Sequence, residues 1–335
     1  MTNDPVITVL MSCYNAEKWL DEAIQSVLNQ TFKDLEFIIV DDGSKDNTLD
    51  IIKMHAARDG RIVILSKQHT GQQDSRNEGI RTAKGEWIAI LDADDIFEPI
   101  KLEKQITAAV KNKNLVFIGT GCTIIDESGR KLKTYGYPAS NVALQRNLRT
   151  ARKFPPHSSA MFKRSVFQKL GGYRKRISRA EDADLWLRLS EVGQLTCLKG
   201  SYVQIKRHPG QISHDENGMR QQLDARLATV ASWVRHFGYP DPIVDNEEIF
   251  NNYHRWIKDR ANEDGLFEYL SHKANIHFQL GIATKSPLAL FDLIKKSLNS
   301  PIHIIRYIKE KFIGESLPRR LALKWIKEVI NIVNH

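Results

Sequence analysis

The sequence places three carboxylates at the end of a strongly apolar segment. Residues 86–91, EWIAIL, have the composition of a buried strand, and Asp92, Asp94 and Asp95 follow at once. Two carboxylates at positions i and i+2 that leave a strand point to the same side. Such a pair suits Mg²⁺ or Mn²⁺, which proteins hold with one or two carboxylates and a substrate's phosphates. The alternative is a solvated acidic turn, with Asp95 capping the next helix.

Further polar side chains follow two other apolar segments. Ser12 and Tyr14 come after VITVLM, Asp41 and Asp42 come after LEFIIV, and Arg76 lies in the segment DSRNEGIRTA. A tyrosine ring can stack on a nucleobase, a carboxylate can accept hydrogen bonds from a base or ribose, and an arginine can bind phosphate. The plainer alternatives are a strand-end aromatic for Tyr14, a turn at DDGS and a solvated helical arginine.

Strand-like and helix-like segments alternate over the first part of the chain. The run LEFIIV is apolar as expected of a strand buried on both faces, and RIVILS, EWIAIL and LVFIGTGC are further predicted strands. The alternation predicts an α/β fold with a mostly parallel sheet and helices on both faces. Because ligands bind beyond the carboxyl ends of the strands in such sheets, we expect the polar residues above to share one rim.

The strand signal fades after about residue 215. We therefore expect a domain over 1–215, followed by a helical, basic region over 216–335. The expected helices of this region are 217–237, 246–260, 264–282, 287–298, 301–312 and 316–333.

The positive charge is concentrated in the C-terminal tail. Residues 285–335 carry ten Lys and Arg against four Asp and Glu, a net charge of +6 out of +9 for the whole chain. In the last expected helix Trp325 lies on an apolar stripe, and Arg320, Lys324 and Lys327 lie on another stripe. A basic amphipathic helix suits an anionic membrane surface, and the alternative is a packed helix with a solvated basic face. Because the charge is local to this tail, we do not expect a nucleic-acid partner.

Composition excludes several other classes of protein. A content of 41% hydrophobic and 27% charged residues is typical of a soluble globular protein, and no apolar run is long enough to span a bilayer. Cys13, Cys122 and Cys197 form no C-x-x-C pair, which argues against a disulfide framework and a zinc site. Without a signal-peptide pattern we expect a cytoplasmic protein, with peripheral attachment to the inner face of the membrane left open.

Several motifs occur in the order found in family 2 glycosyltransferases. These motifs are VITVLMSCYNAEKWLDEAIQSVLNQTFKDLEFIIVDDGSKDNT, SRNEGIRTAKGEWIAILDADD, HSSAMF and EDADLWLRL. Over roughly residues 6–210 the chain resembles members of this family of the bacterial glycan-assembly type. The resemblance implies a Rossmann-like GT-A fold and an inverting transfer that uses a nucleotide sugar.

The resemblance also implies roles for the acidic residues. It implies that Asp182 is the catalytic base, with Glu181 beside it. It implies that Asp94 binds Mn²⁺ or Mg²⁺ directly and that Asp92 faces the ribose or the metal. His208, in KRHPG, matches a histidine that reaches the metal or the diphosphate in many relatives.

The remaining roles concern the donor and the acceptor. By resemblance, the nucleotide-sugar pocket, commonly for uracil, is formed by Ser12, Tyr14, Asp41, Asp42, Arg76 and Asp92. His157 and Ser158 match a segment near the acceptor.

The sequence as a whole predicts a metal-assisted inverting glycosyltransferase. It would move a sugar, a hexosyl or N-acetylhexosaminyl group, from a donor expected to be UDP-linked to a hydroxyl of a glycan or lipid-linked glycan. In-line displacement needs a base on one face of the sugar and charge stabilisation of the leaving diphosphate on the other. Since no Q-x-x-R-W motif or membrane-spanning segment follows the base, we expect non-processive transfer. The alternatives are a nucleotidyltransferase of similar fold and a non-catalytic nucleotide-sugar-binding scaffold.

Overall fold

A computed structural model of the chain describes residues 4–150, 154–208, 216–263 and 317–330. Within them, nine strands form a single sheet. The strands are β1 Ile7–Cys13, β2 Leu35–Asp41, β3 Ile62–Ser66, β4 Trp87–Ile90, β5 Ile96–Phe97, β6 Leu115–Ile125, β7 Lys131–Tyr135, β8 Met161–Lys163 and β9 Gln194–Lys206.

Helices connect most of the strands and continue after the last one. They are α1 Leu20–Leu28, α2 Thr48–Ala56, α3 Gln72–Thr82, α4 Lys101–Lys111, α5 Asn141–Arg149, α6 Arg164–Lys169, α7 Glu181–Val192, α8 Glu216–His236, α9 Glu247–Glu263 and α10 Leu317–Trp325. A 3₁₀ turn covers His157–Ser159, and a π-helical turn, Ile326–Ile330, continues α10.

The sheet has a parallel half and a mixed half. Its strand order is β3-β2-β1-β4-β8-β6-β9-β5, with β7 also paired to β6. The first four strands of this order run parallel, as the sequence predicts, whereas β8 lies antiparallel between β4 and β6. Because β1, β2 and β4 end at the same rim, the residues that follow them are brought together.

The core lies on both faces of the sheet. Along β1, Ile7 and Val9 face a buried cluster with residues of α1, α2 and α4, whereas Leu10 faces a second cluster with residues of α3 and α7. This alternation follows from the two-residue period of a strand. It confirms the expectation that helices cover both faces.

The chain divides into two compact units, Met1–Ala228 and Thr229–His335. The domain boundary at residue 215 stays a prediction. Of the helices expected after it, α8, α9 and α10 are present. The segments 264–282, 287–298 and 301–312 lie outside the described residues.

In the second unit, the apolar face of α10 is packed. Trp325 makes edge-to-face ring contacts with Tyr253 and Trp256 of α9, at centroid distances of 5.0 and 5.2 Å. Leu321 and Ala322 are buried beside it. In the parts of the chain that are described, no helix combines the length and apolarity needed to cross a bilayer.

Candidate active site

Asp92 lies just beyond β4 and is held by three protein side chains. Its carboxylate accepts hydrogen bonds from Arg76 at 2.8 Å and from Ser158 at 3.2 Å, and the imidazole Nδ1 of His157 lies 3.2 Å away. Burial alone would raise its pKa, but His157 and Arg76 hold the pKa of Asp92 well below its usual value. Asp92 is therefore a fixed anion at the rim of the sheet.

The extended geometry that we expected for Asp92 and Asp94 ends at Ile90. The backbone N–H of Asp95 donates to the carbonyl of Asp92 at 3.1 Å, so residues 92–95 form a tight turn. The carboxylates consequently have separate partners. The alternative of a solvated turn with Asp95 as a helix cap is wrong, because Asp95 is buried and bonds Ser158.

Arg76 joins the end of β4 to the start of α7. Its guanidinium donates to Asp92 at 2.8 Å and to Glu181 at 2.6 Å. The side chain is only 3% exposed, so the alternative of a solvated helical arginine is wrong. A buried guanidinium with two carboxylate partners fixes both of them, because separating either would leave a buried charge unpaired.

Asp182 lies next to this ion-pair network, in the first turn of α7. Burial, and then the negative charge of Glu181, raise the pKa of Asp182 to about 6. The charges of His157 and Arg76 act on it in the opposite direction, which places Asp182 within their electrostatic reach. A carboxylate with a pKa in this range is suited to accept a proton near neutral pH.

Asp94 and His208 form a second pair near Asp92. His208 Nε2 lies 2.9 Å from the Asp94 carboxylate. Burial and the charge of Asp92 raise the pKa of Asp94. A divalent cation would offset both effects, so the oxygen and nitrogen donors present here fit Mg²⁺ or Mn²⁺. No set of three or more His, Cys, Asp or Glu that could hold a metal occurs in the described part of the chain. Such a cation would therefore also need ligands from a substrate.

The predicted acceptor residues are buried and contact Asp92. His157 and Ser158 are 8% and 1% exposed. His157 Nε2 lies 2.9 Å from the hydroxyl of Tyr173, and Ser158 bonds Asp92 and Asp95. These contacts suit residues that position Asp92, and an acceptor role for them stays a prediction.

The predicted base-pocket residues gather at the ends of β1 and β2. Cys13 pairs with Asp41 in the parallel register, so Ser12, Tyr14 and Asp42 flank that pair. The Tyr14 ring is 43% exposed, whereas Asp41 and Asp42 are 1% and 3% exposed. Asp41 accepts hydrogen bonds from the backbone N–H of Ser44 at 3.2 Å and from the hydroxyl of Ser66 at 3.4 Å.

The loops after β1 and β2 are bonded to each other. The backbone N–H of Asn15 donates to the Ser44 hydroxyl at 3.0 Å, and Asn15 accepts from the backbone N–H of Lys45 at 2.8 Å. The backbone N–H of Ala16 donates to the Thr48 hydroxyl at 2.8 Å. Asn15 has a φ of 51°, a left-handed conformation that asparagine tolerates.

Two residues that the sequence analysis missed belong to these clusters. The His69 ring makes a tilted contact with Tyr14 at a centroid distance of 4.2 Å, and Tyr173 lies within hydrogen-bond distance of His157. Neither lies in a motif that we singled out. The sequence feature that could have indicated His69 is a histidine close to a glycine in the loop before α3.

The sequence of the chain matches a known family. The family model for Glycosyl transferase family 2 matches residues 8–171. A putative glycosyltransferase of Bacillus subtilis (strain 168), EpsE, is 36% identical over 203 residues, which are 58% of this chain and 69% of that relative. The chain belongs to glycosyltransferase family 2.

Two further comparisons extend over nearly the whole chain. An uncharacterized family relative, a glycosyltransferase of Haemophilus influenzae, is 28% identical over 349 residues, covering 100% of this chain and 99% of its own. The structure of S. aureus TarS 1-349 in complex with UDP-GlcNAc matches with a TM-score of 0.58 at 16% identity, covering 96% of this chain and 91% of that chain. These comparisons confirm the predicted family, the GT-A fold and the expectation of a glycosyltransferase.

Proposed function

We propose that this glycosyltransferase moves a single sugar, with inversion, from a UDP-linked donor to a hydroxyl of a glycan or lipid-linked glycan. The observation that carries the proposal is Asp182, whose raised pKa suits a base and which lies beside the charge network of Arg76 and Asp92. The network belongs to the rim where ligands of such sheets bind.

In this proposal Asp182 takes the proton of the acceptor hydroxyl as the oxygen attacks the anomeric carbon. The bond from that carbon to the diphosphate oxygen breaks, and the configuration inverts. A positioned base contributes about 10²- to 10⁴-fold to such a rate. Glu181 keeps Asp182 a stronger base through its negative charge, and Arg76 holds Glu181 in place.

The donor would lie across the rim formed by β1, β2 and β4. Tyr14 and Asp41 would bind the base. Asp94 and His208 would hold Mg²⁺ or Mn²⁺, with further ligands from the donor. A bound divalent cation neutralises the negative charge that develops on the leaving diphosphate. The similarity to a TarS complex with UDP-GlcNAc supports, through the fold alone, a UDP-sugar as donor.

The proposal is tested by donor binding and by transfer. The full chain is screened by thermal shift against UDP-GlcNAc, UDP-glucose and GDP-mannose, each with and without MnCl₂. We expect a UDP-sugar to raise the melting temperature, and Mn²⁺ to increase that effect, because ligands stabilise the state they bind. Release of UDP in the presence of a glycan acceptor then measures transfer. A chain that binds none of these donors contradicts the proposal.

We further propose that the basic face of α10, together with the π-helical turn that continues it, contacts an anionic membrane surface. Arg320, Lys324 and Lys327 are exposed, whereas Leu321 and Trp325 on the opposite face are buried within the second unit. With its apolar face already packed, this helix would bind lipid by charge rather than by insertion. Such a contact would bring the chain to a lipid-linked acceptor.

A further inference from the structure

We propose that His69 forms a wall of the nucleobase pocket together with Tyr14, and that Asp42 acts on the nucleotide by positioning His69. This inference rests on the proposed function, since it requires a bound nucleotide. It assigns a binding role to a residue outside the motifs that the sequence analysis singled out. It also changes the role of Asp42 from a direct nucleotide ligand to a positioning residue.

The carboxylate of Asp42 is already engaged by the protein. Its Oδ1 accepts from the backbone N–H of Thr70 at 3.0 Å, and its Oδ2 accepts from the backbone N–H of Gly71 at 2.9 Å. The Nδ1 of His69 lies 2.9 Å from the same Oδ2. Although burial acts to raise it, the hydrogen bonds from Thr70 and Gly71 hold the pKa of Asp42 below its usual value. A carboxylate that is 3% exposed and bonded on both oxygens has little surface left for a ligand.

In contrast to Asp42, His69 exposes most of its side chain to solvent. Its side chain is 54% exposed, and its Nδ1 also lies 3.1 Å from the backbone carbonyl of Asp42. With two acceptors facing it, Nδ1 carries a proton and donates. The ring packs against Tyr14 in a tilted contact, with centroids 4.2 Å apart and an interplanar angle of 33°. The outer edge of the imidazole, with Nε2, is thus presented to solvent beside the tyrosine that we place in the base pocket.

Two glycines with positive φ, Gly43 and Gly71, determine the backbone conformation around His69. At Gly43, where φ is 75°, an added Cβ would lie 2.9 Å from the backbone nitrogen of His69. Gly71, with a φ of 100°, is the N-cap residue of α3, which carries Arg76. The turn after β2 therefore lies against the loop before α3, with no room for a side chain at Gly43. Asp42 is the side chain that joins them.

The experiment measures UDP affinity by calorimetry for the full chain and for His69→Ala, Asp42→Asn and the double variant. We expect His69→Ala to weaken UDP binding by about fivefold or more, as when a ring that stacks on a base is removed. Affinity for inorganic diphosphate with Mn²⁺, which has no base, should stay unchanged. Gln68→Ala, at an exposed neighbour on the same loop, serves as the control and should bind UDP as the unaltered chain does.

The double variant separates positioning from direct contact. If Asp42 acts through His69, Asp42→Asn weakens UDP binding in the unaltered chain but adds little when His69 is already alanine. Additive losses, or unchanged UDP affinity in His69→Ala, overturn the inference while the proposed function stands. A chain that binds neither UDP nor UDP-sugars overturns both.

Discussion

The protonation state of Asp182 decides whether the site can work as proposed. Burial and the neighbouring Glu181 raise its pKa, while Arg76 and His157 oppose them. The result, a pKa of about 6, leaves the carboxylate ionised at neutral pH yet more basic than an exposed aspartate. Burying an ionised aspartate lowers the stability of the fold. A buried aspartate with a raised pKa is therefore typical of a functional site.

Replacing Asp182 with asparagine should separate catalysis from binding. The amide keeps the shape of the side chain but cannot take the acceptor proton. We expect kcat to fall by about 10²- to 10⁴-fold, while UDP affinity stays within about twofold. Calorimetry and a UDP-release assay measure the two quantities. Full transfer activity in this variant would favour a base elsewhere, and loss of UDP binding would place Asp182 in the donor site.

The pH dependence of kcat/KM should report the same carboxyl group. Because the base must be unprotonated and its pKa is raised to about 6, the rate should fall by about tenfold per pH unit below that value. Glu181→Gln removes the charge that raises this pKa, so the acid limb should move to lower pH. Profiles measured from about pH 5 to pH 8 test both statements. An acid limb that Glu181→Gln leaves in place would assign the titration to another group.

At the scale of elements, Arg76 connects three segments of the fold. It lies on α3 and binds one acid after β4 and one at the start of α7. The helices α3 and α7 belong to the same buried cluster as β4, on one face of the sheet, so a residue of α3 can reach both acids. Gly79 in the same helix, where a Cβ would lie 2.3 Å from Leu10 Cδ1, allows α3 to approach the sheet closely.

Arg76→Met should be strongly destabilising. The change leaves Asp92 and Glu181 without their shared cation, and a buried pair broken on one side costs about 3–5 kcal/mol. Denaturant unfolding measures the loss of free energy of unfolding. Arg81→Met, at an exposed position of the same helix, is the matched control and should cost less than about 0.5 kcal/mol. Equal costs for the two variants would show that the ion pairs contribute nothing net.

The sequence predicted the elements that carry the site better than it predicted the contacts between them. Apolar runs that end in acids located β2, β4 and their rim, and the motif EDADLWLRL lies within α7. The short strands β5 and β7 were missed, because β5 has two residues and most of β7 is exposed, without an apolar face. His69 and Tyr173 were missed because their partners, 27 and 16 residues away, are chosen by tertiary packing.

At the scale of the whole molecule, the basic face of α10 predicts a surface interaction. We expect the full chain to sediment with vesicles of anionic phospholipid and not with phosphatidylcholine alone, and to be released by high salt. Charge reversal at Arg320, Lys324 and Lys327 should weaken binding by about 100-fold or more, since each basic residue contributes about 1 kcal/mol and about 1.4 kcal/mol is a factor of ten.

Two exposed lysines in the first unit provide the control. Lys131→Glu with Lys133→Glu changes the net charge on β7, away from α10 in the sequence. This variant should bind vesicles nearly as well as the unaltered chain. If the two sets of substitutions weaken binding equally, the attraction is a property of net charge and not of this helix.

The hydrogen bonds between the loops after β1 and β2 limit which loop replacements this fold can accept. Asn15, Ser44 and Lys45 tie the segment with Tyr14 to the segment with Asp41 before any donor arrives. A loop grafted from another family member would lose these hydrogen bonds unless the facing loop came with it. Exchanging both loops as one unit is the replacement that keeps their contacts intact.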